Sequence, residues 1–86
     1  MMNLNEITTA LKNKEEIKYA SLTGSEKQIK WATKLKKEMV IGSIADIDEE
    51  VEDWGWDDED VIDEIKDFMD LVNEVSASTI IEWHVR

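Results

Sequence analysis

The stretch DDEDVIDEIKDFMDLVNE, from Asp57 to Glu74, carries two helical patterns at once. Its apolar residues recur at steps of three and four, the spacing that lines one face of an α-helix. Acidic residues in the first turn suit the positive end of a helix dipole, and Asp57 or Asp58 can cap it. The pattern predicts a helix from Asp58 to Glu74. Its expected core residues are Val61, Ile62, Ile65, Phe68, Met69 and Val72.

The carboxylates of the same segment also follow steps of three and four, opposite the apolar face. This row, which we call the acidic stripe, comprises Asp60, Asp63, Glu64, Asp67, Asp70 and Glu74. At ~1.5 Å rise the row spans about 21 Å, so its charges fall roughly every 4 Å, close to the ~3.4 Å axial spacing of phosphates on one DNA strand. Such a row suits a basic partner surface. The alternative is a solvated face that only keeps the protein soluble.

Two helices are predicted before this segment. The first is capped by Asn3 and has three inward residues, Leu4, Ile7 and Leu11. The second begins at Thr23-Gly24-Ser25-Glu26, where the Thr23 hydroxyl accepts from a free amide and Glu26 reaches back in a capping box. It should run to about Val40. Its inward residues are Ile29, Ala32, Leu35 (or Lys36, buried only by its stem) and Met39, with Trp31 beside them.

Gly42 and Ser43 interrupt that pattern, and a short acidic helix is expected from Ile44 to Trp54, ending at Gly55. An irregular acidic loop is the alternative. The spacing of Trp54 with Val51 predicts a buried Trp54, whereas Trp56 should be partly exposed.

A last helix should run from Ala77 to about His84, with a cap at Ser76. It brings three residues near the core, Ile80, Ile81 and Trp83. The chain is therefore expected to be all-α, a small bundle of four to five helices, and one domain over residues 1–86 with an acidic insert at about 44–74.

The two halves of the chain, residues 1–43 and 44–86, carry net charges of opposite sign. The net charge is -11; eight lysines face five glutamates up to Ser43, a balance of +3, and two basic residues face sixteen acids from Ile44 onward, a balance of -14. An asymmetry of this size concerns partners more than fold. The chain has no cysteine, and its apolar runs are short, so we expect no membrane segment and a cytoplasmic location in the host cell.

A second row, Lys27, Lys30, Lys34 and Lys37, is basic and is called the lysine stripe. It could contact phosphates, or pair with the acidic helix within the fold or across a homodimer. Direct binding of nucleic acid is disfavoured, because a chain of this net charge is repelled by phosphate at long range.

Metal, cofactor and catalytic sites are not expected. Asp46, Asp48 and Glu50 imitate the first ligands of a calcium loop and Asp57 its twelfth position, but Val51 stands where the sharp turn requires glycine. The single imidazole, His84, has no acid partner except Glu82, which points elsewhere on a helix. The sequence therefore favours a binding protein over an enzyme.

The segment LTGSEKQIKWA, residues 22–32, resembles small proteins encoded by phages and other mobile elements of Gram-positive bacteria. In these proteins the pattern TGSEKQIxWAxxI precedes a later helix with a small residue, a tryptophan and a terminal arginine; here the corresponding residues are Ala77, Trp83 and Arg86. Lys36 departs from the arginine often found there. The resemblance covers under a third of the chain. It implies a packed helix pair in which three residues are structural, Gln28, Trp31 and Trp83.

Small acidic proteins of that setting resemble phage inhibitors of host nucleases, including anti-CRISPR proteins, several of which are DNA mimics. The resemblance implies an inhibitor that binds the basic nucleic-acid site of a host defence protein, a CRISPR-associated nuclease being the expected target. Its expected contact residues are Asp57, Asp58, Asp60, Asp63, Glu64, Asp67, Asp70, Glu74 and Trp56. The alternative is a mobile-element regulator or replication accessory that binds nucleic acid through its lysine stripe.

Overall fold

The computed structural model describes residues 2–18 and 21–85, and it confirms the all-α fold. These residues form four helices: α1 (Leu4–Lys12), α2 (Glu26–Trp54), α3 (Glu59–Asn73) and α4 (Ala77–Val85). The long helix α2 packs against both α3 and α4, and α1 packs against α3. The buried side chains of all four helices form one cluster.

The first helix begins where the sequence predicts. The Asn3 side chain accepts from the Glu6 amide at 2.8 Å, and the Glu6 carboxylate accepts from the Asn3 amide at 3.3 Å. Asn73 at the end of α3 then exchanges two hydrogen bonds with the Met2 backbone, at 2.9 and 2.7 Å. The start of α1 is therefore tied to the end of α3 as well as to the core.

The predicted start of α2 is wrong by two residues. Ser25 is the cap, and its partner in the capping box is Gln28 rather than Glu26. The Thr23 side chain instead donates to the carbonyl of Val75. A serine two positions after a threonine satisfies the same pattern, and tertiary contacts of Thr23 decide between them.

Those contacts join the beginnings of α2 and α4. The Thr23 amide donates to the Val75 carbonyl at 2.6 Å, and the Ala77 amide donates to the Thr23 carbonyl at 2.9 Å. Gly24 lies at the closest approach: its φ is +144°, and a Cβ there would lie 3.2 Å from the Cβ of Ala77. Only glycine adopts this conformation without strain, so Gly24 allows the two helices to start side by side.

The predicted break at Gly42 and Ser43 does not occur. α2 continues for 29 residues to Trp54, and Gly55 ends it with φ +87°. An interior glycine costs about 1 kcal/mol relative to alanine, whereas burying a large aliphatic side chain contributes about 1.5–3 kcal/mol. Unbroken helix keeps Ile47 in register with Val40, and both are buried. Packing therefore outweighs the local preference, and the expected fifth helix is the second half of α2.

Lys36 is buried over its whole length, not only along its stem. Its ammonium donates to the carbonyls of Val72 and Glu74, at 2.9 and 2.8 Å. These carbonyls lie at the end of α3, where helical partners run out and a positive charge is favoured. Desolvation lowers the Lys36 pKa, and the nearby Glu74 carboxylate opposes this shift. Lys36 thus fastens α3 to the first half of α2.

The core faces of α3 and α4 follow the sequence pattern with a few differences. Within the expected α3 set, Ile62 and Met69 are only half-buried, and Leu71, which was not expected there, is buried. In α4, Ile80 is buried, and the Ser76 hydroxyl accepts from the Thr79 amide as a cap. Trp83 lies at the surface rather than near the core.

Candidate interaction surface

The acidic stripe lies on the outer side of α3. Asp60, Asp63, Asp67 and Asp70 are exposed, whereas Glu64 and Glu74 are half-buried. The buried residues of the helix, Val61, Ile65, Phe68, Leu71 and Val72, occupy the inner side. The four exposed aspartates lie within residues 60–70, a rise of about 15 Å along the helix axis. Four of the six residues of the acidic stripe are therefore exposed.

Two of the candidate contact residues also hold the fold together. One Asp58 oxygen accepts from the amides of Asp60 and Val61, which makes Asp58 the cap of α3. Glu74 accepts from the Ser76 amide at 3.0 Å, close to the buried ammonium of Lys36. Asp57 is exposed in the turn before the helix. Asp57 and the exposed stripe aspartates are thus the members whose carboxylates are available to a partner.

The lysine stripe does not neutralise these carboxylates. Lys27, Lys30, Lys34 and Lys37 are all exposed. Within residues 2–18 and 21–85, neither the lysine stripe nor the exposed aspartates of α3 form an ion pair. The alternative that the two stripes pair within the fold is therefore not what the described residues show. Both stripes are exposed and unpaired with each other.

Two further carboxylates join the acidic stripe from α2. Because α2 is continuous and α3 returns beside it, the carboxyl group of Glu50 interacts with that of Glu64, and Asp46 lies near the same group. A cavity of about 250 Å³ opens between the helices, and it is lined by Ser43, Asp46, Ile47, Glu64, Asp67, Phe68 and Leu71. The sequence offers no signal for this meeting, since it depends on the register of two helices.

This crowding changes the ionisation of Glu64. The interaction with Glu50, to which a protonated Glu64 can donate, comes first among the causes that raise the Glu64 pKa to about 7; desolvation and the charges of Glu50, Asp46 and Asp67 follow. One Glu64 oxygen is inaccessible to solvent and has no hydrogen-bond partner in the folded chain. Near neutral pH Glu64 is therefore protonated for part of the time.

Of the two tryptophans beside Gly55, Trp56 is partly exposed as the sequence predicts, and Trp54 differs from its prediction. Trp54 is 70% exposed, so the prediction that it is buried is wrong. Trp56 is half-buried against the core, and the Lys12 ammonium lies 5.6 Å from its ring centroid. Trp54 is the last residue of α2, and Gly55 ends the helix directly after it with φ +87°. The following turn brings Trp56 against the core. Of the two indoles, that of Trp54 is the more exposed.

The segment that imitates a calcium loop is helical from Asp46 to Glu50. Among the described residues, no group of three or more acidic, histidine or cysteine side chains could hold a metal ion. His84 is exposed near the end of α4. No described helix combines the length and the hydropathy needed to cross a bilayer.

A search of protein-family models, curated proteins and solved structures finds no match for this chain. The site therefore has to be interpreted from its own chemistry.

Proposed function

We propose that this protein is a non-enzymatic inhibitor that occupies the nucleic-acid-binding surface of a basic partner with its acidic stripe and the adjoining turn. The observation that carries the proposal is the row of exposed aspartates on α3, none of which pairs with a lysine in the described residues. Like charges spaced four residues apart destabilise a helix by about 0.2–0.5 kcal/mol per pair. The row therefore reduces helix stability and supplies a surface that complements a basic groove.

The partner class follows from the charge and from the resemblance of residues 22–32 to small phage proteins. Nucleases that hold a guide and its target do so in basic channels, and arginines read the short adjacent motif. Carboxylates compete well for such arginines, since charge-assisted hydrogen bonds are stronger than neutral ones. A CRISPR-associated nuclease is accordingly the target that we propose.

The proposal is tested by competition. A fluorescein-labelled DNA duplex carrying the adjacent motif is bound to a purified guide-loaded CRISPR nuclease, and the protein is added at increasing concentration. We expect displacement that weakens as salt rises. The triple variant Asp63→Lys, Asp67→Lys and Asp70→Lys should lose at least tenfold in apparent affinity, because three charges at the contact change sign.

A matched control separates the position of the charges from their number. Glu15, Glu16 and Glu38 are exposed and lie outside the acidic stripe. Changing all three to lysine alters the net charge by the same amount as the α3 triple variant. If both variants compete equally well, or if the unmodified protein displaces no duplex from any nuclease tested, the proposal is wrong.

One observation favours a second candidate. The lysine stripe is exposed beside Trp31, which is itself 49% exposed, and basic residues around an exposed aromatic ring suit nucleic acid. Under this alternative the protein is an accessory factor of a mobile element. A mobility shift with plain duplex or single-stranded DNA, abolished by Lys30→Glu and Lys34→Glu, would favour it over the inhibitor.

A further inference from the structure

Trp54 stands out among the exposed apolar side chains. It is the last residue of α2 and the most exposed of the large hydrophobic residues in the described chain. Gly55 follows with φ +87°, and a Cβ on Gly55 would meet nothing within 4 Å. The chain is thus open at Gly55, and the indole before it is 70% exposed. A large ring in such a place gains nothing for the core, and aromatic rings of this kind are enriched among the residues that dominate binding.

The charge around Trp54 is negative on both sides. Glu50 lies one turn earlier on the same face of α2, and it meets Glu64 of α3. α3 runs antiparallel to α2, so carrying this register one turn further places Asp60 at the level of Trp54. Asp53 and Asp57 flank the ring in sequence, and both are exposed. An indole framed by carboxylates suits a cation with an extended flat face.

The same turn already shows an indole beneath a cation. The Lys12 ammonium lies 5.6 Å from the ring centroid of Trp56, within the distance at which a cation is attracted to an aromatic face. That ring is half-buried and is occupied from inside the fold. No described lysine lies over the ring of Trp54. The Trp56 indole thus already has a lysine of the same chain over its ring, whereas the Trp54 indole is open to a cation of a partner.

We propose that Trp54 is the anchor of the interface, and that it stacks under an arginine guanidinium of the basic partner while a neighbouring carboxylate accepts its N–H groups. The inference rests on the proposed function and deepens it. Arginine fits better than lysine, because its planar guanidinium stacks on a ring and still presents several donors in that plane. Trp54 therefore replaces Trp56 as the aromatic contact residue, and it adds selectivity for arginine to a surface that otherwise recognises charge.

The test compares two fluorescein-labelled peptides of eight residues, one of arginine and one of lysine, by fluorescence anisotropy at 50 and 150 mM salt. We expect the unmodified protein to prefer the arginine peptide. Trp54→Ala should weaken binding of that peptide about two- to thirtyfold and bring the two affinities together. Trp54→Phe should keep part of the preference, since a smaller ring remains.

Trp31→Ala is the matched control, because it removes another exposed indole, which lies beside the lysine stripe. It should leave the arginine preference unchanged. Equal losses in Trp31→Ala and Trp54→Ala, or an unchanged preference in folded Trp54→Ala, would overturn the assignment. The variant with Asp63, Asp67 and Asp70 changed to lysine distinguishes a failure of the Trp54 assignment from a failure of the proposed function. If the triple variant loses peptide binding while Trp54→Ala does not, only the assignment of Trp54 as the anchor is wrong. If the triple variant binds the peptides unchanged, the proposed function of the acidic stripe is wrong as well.

Discussion

The two halves of α2 are held by different kinds of contact. The first half begins next to the backbone bridge between Thr23 and the start of α4. It also carries Lys36, whose buried ammonium donates to carbonyls at the end of α3. The second half, from Ile44, meets α3 across an interface whose outer edge is lined by carboxylates of both helices. The first half is thus held by hydrogen bonds and close packing, whereas carboxylates of α2 and α3 repel each other at the surface of the second half.

The charges along α2 are also arranged against the preference of the helix itself. Lysines are concentrated toward the positive end of the helix dipole and acids toward the negative end, and the last turn has no basic residue. This distribution reduces helix stability, so stability is not its explanation. The first half of α2 therefore carries the hydrogen bonds that fasten the helix to its neighbours, whereas the second half presents carboxylates.

The largest effect is expected from breaking the first half at Lys36. Lys36→Ala leaves the carbonyls of Val72 and Glu74 without their donor and opens a cavity in place of the side chain. The free energy of unfolding should fall by about 2–5 kcal/mol. Urea denaturation measures it. Lys37→Ala, at the exposed neighbour, should change stability by no more than about 0.5 kcal/mol, and an equal loss there would contradict the role given to Lys36.

A smaller effect is expected where α2 and α4 begin. Gly24→Ala forces a side chain into φ +144° and against Ala77, so it should destabilise the protein by about 1–3 kcal/mol. Gly42→Ala meets open space within α2 and should instead stabilise by about 0.5–1 kcal/mol. Thermal melts of both variants measure these changes. If both variants shift the melting temperature in the same direction, the different roles assigned to Gly24 and Gly42 are wrong.

The smallest effect concerns the second half and its dependence on pH. The Glu64 pKa lies at about 7 in the folded protein against 4.5 for an ordinary glutamate, so the folded state holds more protons between these values. The contribution of Glu64 to stability is therefore fully present below about pH 4.5 and is lost as pH rises through about 7.

Thermal melts of the unmodified protein and of Glu64→Gln, taken from pH 4.5 to 8, measure this contribution as the difference between their stabilities at each pH. The stability of the unmodified protein relative to Glu64→Gln should decline as pH rises, because the glutamine cannot ionise. Asp63→Asn, at an exposed member of the acidic stripe, should give a flatter difference. A Glu64→Gln difference that is level with pH would mean that folding does not raise the Glu64 pKa.

Several parts of this fold could be predicted from local sequence. The caps at Asn3, Asp58 and Ser76 depend on residues within three positions, and the structure confirms each of them. The error at Thr23 arose because two hydroxyl residues satisfy the same local rule. The tertiary bridge to Val75 decided between them.

The candidate site divides in the same way. The acidic stripe follows from spacing alone, and its four aspartates are exposed as expected. The meeting of Glu50 with Glu64 could not be predicted, since the two lie on different helices whose register is set by the core. The exposure of Trp54 could not be predicted, because its spacing with Val51 indicates the core face of α2, whereas Val51 itself is only half-buried near the end of that helix.

The helical class, the separation of acidic from basic residues and the row of carboxylates on α3 follow from the sequence alone, because they depend on residue order and on spacings of three or four positions. Packing between helices sets the other features: α2 continues through Gly42, Lys36 is buried whole and Trp54 faces solvent. Each of these depends on which helix lies alongside. The free energy of burying side chains between helices exceeds the local preferences that a sequence pattern expresses.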